Sequence, residues 1–188
     1  MALNNRDAFE QIEHAGRIRV RRGALFSEQP TPLPGWLSFS RVEGMMLGLA
    51  IGDALGNTSE GMWPGQRRTA FGEIRDYRQH PRWKDRRGYP SDDSQLAFWT
   101  LDQMLADGGF DPERVARRFN QGEIFGIGSA VREFIANRRS GRPWQECGVH
   151  SAGNGALMRI APILIPHLRD PSPDLWVDTA LEHRRPDS

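Results

Sequence analysis

From Arg41 the apolar positions fall into helical register. In "RVEGMMLGLAIGDALG", Val42, Met45, Met46, Leu49 and Ala50 recur at spacings of three and four, which predicts one buried helix face. Gly44, Gly48 and Gly52 recur every four residues, so tight packing against a second helix is expected along that stripe. Gly56 is the expected C-cap. A second helix is predicted from Asp92 to Ala106. Its stripes are Leu96, Thr100, Met104 and Phe98, Leu101, Leu105, and Gly108-Gly109 ends it. A third opens at "DPERVARRF", with Asp111 as N-cap, Pro112 in the first turn and Glu113 where the helix dipole favours it. Further helices are expected over Ser129–Arg139, within "NGALMRIAPILIPHL" with an interruption at Pro162, and from Pro173 to His183. No alternating pattern marks a strand in residues 41–188. The fold class read from the pattern is all-α.

Two stretches break the register. Residues 1–40 carry the alternating "RIRVRR" and the Pro-rich "SEQPTPLPG", which read as an N-terminal extension with a short strand or an arm at most. The domain division expected is therefore 1–40 and 41–188. Residues 57–90 read as one long loop, of a length that is functional or disordered in most chains. From Gln66 to Arg87 it holds eight basic and three acidic residues, enough to attract an anion but also usual for a solvated surface.

Composition changes this picture little. The 188 residues suit one ordinary domain, and 38% hydrophobic content can fill a core. A net charge of +1 gives no argument for nucleic acid or a membrane surface. The one cysteine, Cys147, rules out an internal disulfide and argues against a thiolate zinc site. The longest apolar run, Met45–Ile51, is far short of the roughly 20 residues that span a bilayer. A cytoplasmic protein is expected.

Three segments could carry chemistry. In "GYPSDDSQLAFWTL", Asp92 and Asp93 sit between Ser91 and Ser94 at a helix start. Helix capping explains one carboxylate, whereas two adjacent carboxylates flanked by hydroxyls also suit a hard divalent cation. In "GDALGNTSEG", Asp53 lies in an apolar helix and needs a partner, and Glu60 is a loop carboxylate able to move a proton. In "HSAGNGALMRIAP", glycines precede a helix, an arrangement that serves anions but is also an ordinary turn. Arg159 in the same segment needs a carboxylate, with Asp53 a candidate.

"GLAIGDALGNTSE", "SDDSQ" and "GNGALMRIAPI" together resemble, in order and spacing, the signature segments of the ADP-ribosylglycohydrolases. The resemblance covers residues 41–188. It implies an all-helical fold with two Mg2+ (or Mn2+) ions at the base of an ADP-ribose cleft. It places the metal motif on Ser91, Asp92 and Asp93, with Ser91 standing where the family has threonine. It assigns catalytic roles to Glu60 and Asp93, and ADP-ribose contacts to Ser151, Gly153, Asn154, Gly155, Met158 and His183. A Thr-His pair of the family falls on Glu182 and His183, so Glu182 departs from the pattern. The family's remaining metal ligands lie in a C-terminal Asp-x-Asp-Ser/Thr motif. This chain has none, and Trp176 stands where the first aspartate of "VDTA" would be. The helical bundle is thus expected to be incomplete at its C-terminal side. The implied activity is hydrolysis of the bond between ADP-ribose and a protein side chain. An alternative is an immunity protein that binds an ADP-ribosyltransferase toxin through residues 1–40, and a third is a helical scaffold without chemistry.

Overall fold

The computed structural model describes residues 4–18, 20–29, 31–80, 82, 84–151 and 153–182. Among these residues every regular element is helical. The elements are α1 (Asn5–His14), α2 (Phe39–Asn57), α3 (Pro64–Phe71), α4 (Asp92–Asp107), α5 (Pro112–Phe119), α6 (Ser129–Arg139), α7 (Ala161–Leu164) and α8 (Asp174–Glu182). Short 3-10 turns lie at Ala24–Phe26, Trp144–Glu146, Leu157–Arg159 and Ile165–His167. No described helix is long and apolar enough to cross a membrane.

α4 is the hub. It packs on α2, α5, α7 and the 3-10 turn at Leu157–Arg159. Its buried face is Leu96, Ala97, Thr100 and Met104, as the first expected stripe requires, and the Thr100 hydroxyl closes back on the Leu96 carbonyl at 2.9 Å. The second stripe departs from expectation: Leu105 is open to solvent and Phe98 is partly so. Gly108 ends the helix in the left-handed region at φ 72°, where the missing Cβ removes the steric cost. Asp111 caps α5 as expected, accepting from the N–H groups of Glu113 and Arg114. Val115 and Phe119 then join Leu96, Met104, Val131, Ile135, Ile163, Val177 and Leu181 in the core.

Three local expectations are corrected. Residues 5–14 form a helix where an arm was expected. Asn4 caps it, and Phe9 and Ile12 enter the same core as Val177 and Leu181. Two buried apolar side chains contribute roughly 1.5–3 kcal/mol each. α1 packs on α8, where Asn5 Nδ2 donates to Asp178 Oδ1 and to the Phe110 carbonyl, each at 2.7 Å. Arg17 pairs with Glu146, and Arg22 with Glu13. Second, the loop after α2 contains α3, started by Pro64 at its first position and by Gln66, whose side-chain oxygen accepts from the Trp63 N–H at 3.1 Å. Third, the glycine stripe of α2 does not meet another helix. A Cβ built on Gly44, Gly48, Gly52 or Gly56 meets nothing within 4 Å. Gly56 does not cap α2, which runs on through Asn57. Met46 and Ala54 are buried on the inner face. Leu47 and Ile51 lie on the outer one, 59% and 49% exposed.

Candidate functional site

The site is built where the C-terminal end of α2 meets the start of α4. The first N–H groups of any helix lack intrahelical partners. In α4 the N–H of Asp93 is met by the Ser91 hydroxyl and that of Ser94 by Asp53 of α2, which also holds the N-cap residue Ser91. Asp53 Oδ2 accepts from the backbone N–H of Ser91 (2.8 Å) and of Ser94 (3.1 Å), and from the Ser94 hydroxyl (2.6 Å). Its Oδ1 accepts from the Ser91 hydroxyl at 2.8 Å. Asp53 is therefore a cap supplied by a neighbouring helix, and its carboxylate also sits at the favourable end of the dipole. Arg159, the partner weighed for Asp53 in the sequence, pairs instead with Glu182. The paired serines around the aspartates were the sequence signal for this cap, since each offers a hydroxyl and an N–H to one carboxylate.

Asp53 is thus fully engaged, and it leaves Asp92 and Asp93 for other work. Ser91 Oγ lies 3.1 Å from Asp93 Oδ2 and accepts from the Asp93 N–H at 3.3 Å. Asp92 Oδ2 accepts from the Gly128 N–H at 3.3 Å, at the start of α6. Burial is the main cause that lifts Asp92 to about 6, with the charges of Asp93 and Glu60 adding to it and the Gly128 bond opposing. Burial also raises Asp93, with the Asp53 charge adding and the Ser91 hydroxyl opposing. Glu60 is exposed in the turn after α2, close enough to Asp92 to act on it. The structure therefore brings Glu60, Ser91, Asp92 and Asp93 to one place, around Asp53.

Sequence reading missed the wall opposite. Residues 121–128 form a loop folded against the head of α4. Gln95 holds it from both ends of its amide, accepting from the Phe125 N–H at 2.9 Å and donating to the Glu123 carbonyl at 2.8 Å. Gly126 has φ +68°, and a Cβ there would sit 3.3 Å from Ser91 Cβ and 3.7 Å from Asp92 Oδ1. The positive φ strains any larger residue there, and the Ser91 contact would have to give by a few tenths of an ångström. The spacing of Gly122, Gly126 and Gly128 was the available signal.

The glycine segment lies across α6. Gly128 at the head of α6 reaches Asp92, and Ala130 and Val131 in its first turn line a cavity with Ser151, Gly153 and Gly155. Ser151 Oγ accepts from the Gly153 N–H at 3.1 Å, and the Met158 N–H donates to the Asn154 carbonyl at 3.0 Å. Gly153 and Asn154 are exposed, and Met158 packs partly against the core. The helix expected here is replaced by a 3-10 turn, the single turn of α7 and another 3-10 turn. No long helix dipole stands behind the glycines, so the segment meets an anion through its own N–H groups and side chains. His183 lies outside the described residues.

A family model described as ADP-ribosylglycohydrolase matches residues 37–187. The chain belongs to the ADP-ribosylglycohydrolase family. It is 36% identical over 122 residues to an uncharacterized protein of Archaeoglobus fulgidus, covering 63% of this chain and 40% of that one. It is 29% identical over 189 positions to the ADP-ribosylarginine hydrolase Tri1 of Pseudomonas putida, covering 88% and 49%. The uncharacterized protein YegU of Escherichia coli is 30% identical over 137 residues, covering 65% and 41%. A solved structure titled "ADP-ribosylglycohydrolase-related protein complex" superposes with a TM-score of 0.59 at 32% identity, over 76% of this chain and 47% of that one. The all-helical fold agrees with this. The chain spans less than half the length of each of these relatives.

ADP-ribosylglycohydrolases are generally metal-dependent. The donors around Asp53 have the right chemistry, since crowded carboxylates and hydroxyls suit a hard cation. They do not complete a coordination shell. Among the described residues no three His, Cys, Asp or Glu side chains converge as a metal-holding group. The Ser91 hydroxyl is already engaged with Asp53.

Proposed function

We propose that this chain carries one side of a metal-dependent site that hydrolyses the glycosidic bond between ADP-ribose and a protein side chain. The observation that carries the reading is the pair Asp92–Asp93 at the head of α4, both raised by burial and by neighbouring carboxylates. Placing like charges together in a buried position is costly. A bound divalent cation offsets that cost, so the arrangement is suited to receive one. Asp92 and Asp93 would hold the ion, with Mg2+ the first candidate and Mn2+ the second, and further ligands would come from outside the described residues. When bound, such an ion orients ribose hydroxyls and lowers the pKa of a bound water.

The residues of this chain have distinct proposed roles. Departure of the side chain leaves positive charge on the anomeric carbon, and the carboxylates around Asp53 give a field that favours it. Glu60 is exposed beside Asp92 and is free to exchange a proton with a water or a leaving group. Ser151, Gly153, Asn154 and Gly155, with Met158 beneath them, would hold the ADP-ribose. The P. putida relative's name points to arginine as the modified residue.

The test is direct. ADP-ribosylarginine protein is incubated with this chain in Mg2+ and in excess chelator, alongside calorimetry with Mg2+ and with ADP-ribose. Release of ADP-ribose that stops with chelator and with Asp92→Ala is the expected result. If the chain binds neither Mg2+ nor ADP-ribose and Asp92→Ala changes nothing, the reading is lost.

A further inference from the structure

Arg159 and Glu182 are the charged side chains on the wall of the cavity beside the glycine segment, and the chemistry proposed above uses neither. They are 15% and 6% exposed and form an ion pair through Arg159 Nε. Through Nη1 the same guanidinium donates to the Gly155 carbonyl, and it lies 5.3 Å from the centre of the Phe119 ring. One side chain thus joins the end of α8, the end of α5 and the glycine segment.

Stability alone does not account for this arrangement. A buried ion pair gains little over apolar residues of the same size, because desolvation consumes most of the attraction. What the planar fork does supply is direction: two donors on fixed vectors reach two acceptors at once. The Gly153–Gly155 backbone needs such a constraint. Glycine has no Cβ to restrict φ and ψ, so its peptide planes turn freely unless bonded from outside.

We infer that Arg159, held by Glu182, is a positioning residue that fixes the Gly155 peptide and so sets the conformation of the segment that takes the ADP-ribose. The choice of ligand rests on the function proposed above, whereas the constraint itself rests on the contacts.

Two variants test it, with ADP-ribose as the probe. Arg159→Lys keeps the charge and a donor for Glu182 but replaces the planar fork by one freely rotating ammonium, which has no second nitrogen on a fixed vector toward the Gly155 carbonyl. It should speed amide exchange across residues 148–156 and weaken ADP-ribose binding about tenfold, the scale of one charge-assisted hydrogen bond, while Tm stays within about 3 °C. The double variant Arg159→Glu with Glu182→Arg restores an ion pair with no donor at position 159. It should recover Tm relative to Arg159→Glu alone without recovering affinity or slow exchange. Unchanged exchange in Arg159→Lys overturns the inference, as does affinity that simply follows Tm across the variants. If the double variant does not fold, Arg159→Lys decides. If exchange quickens as stated but the parent protein binds no ADP-ribose, the positioning role stands and the functional reading falls.

Discussion

Asp53 caps the head of α4 from a neighbouring helix, and Asp92 lies buried in the first turn of α4 itself. Asp53 receives four hydrogen bonds from Ser91 and Ser94, two of them from backbone donors with no other intrahelical partner. Asp53→Ala should therefore lower unfolding stability by about 2–3 kcal/mol, measured by urea titration, with Asp53→Asn losing about half as much. Asp92 is held ionised against burial. Its folded pKa of about 6 exceeds its ordinary value of 3.8, so the folded state binds the proton more tightly than the unfolded one. Ionisation thus removes stability as pH rises from about 4 to about 6, and the loss is constant above that. In chelator, Asp92→Asn should be more stable than the parent at pH 7 by on the order of 1–2 kcal/mol, and equal to it near pH 4. A carboxylate whose removal stabilises the fold is retained for another reason. An Asp92→Asn variant that melts below the parent at pH 7 would remove that argument.

At the level of elements, two glycines mark opposite extremes of constraint. Gly126 has a positive φ and a wall 3.3 Å away, while Gly48 is in regular helix with open space at its Cβ. Gly126→Ala should cost about 1–2 kcal/mol, and Gly48→Ala should gain about 0.5–1 kcal/mol, in thermal melts. Similar melts for the two would contradict the assignment. The helices α2, α4, α5, α6 and α8 were legible because their caps and apolar spacing are local. α1 was not, because "AFEQIEH" shows only Phe9 and Ile12 as a core face, and what makes them a face is α8, far away in the chain. α3 hid in a loop rich in charge, although Pro64 and Gln66 were its start signals. Asp92, Asp93, Glu60 and the glycine segment were singled out by their residue types and by resemblance to a family. The role of Asp53 and the wall at Gln95 and Gly126 depend on contacts 28 or more residues apart, which no local pattern encodes.

For the whole molecule, the N-terminal helix and α2 make contrasting claims on stability. Deleting residues 1–16 removes Phe9, Ile12 and the Asn5–Asp178 bond together. It should lower stability by several kcal/mol and expose Val177 and Leu181. Loss of partner binding in such a deletion would therefore say nothing about an arm, and substitution of exposed Arg21 is the informative probe of the toxin-binding alternative. The outer ribbon of α2 has the opposite character. Phe39, Leu47 and Ile51 stand in water between glycines that add no polar cover. Such a ribbon sets colloidal behaviour more than folding. The chain should bind a hydrophobic dye while fully folded, and its apparent Tm should drift with protein concentration and salting-out anions. Leu47→Gln with Ile51→Gln should quench the dye signal and flatten the concentration dependence without lowering Tm. For this molecule the first measure of a good preparation is then its dispersity, since a sample can be native in every helix and still not be a solution of single chains.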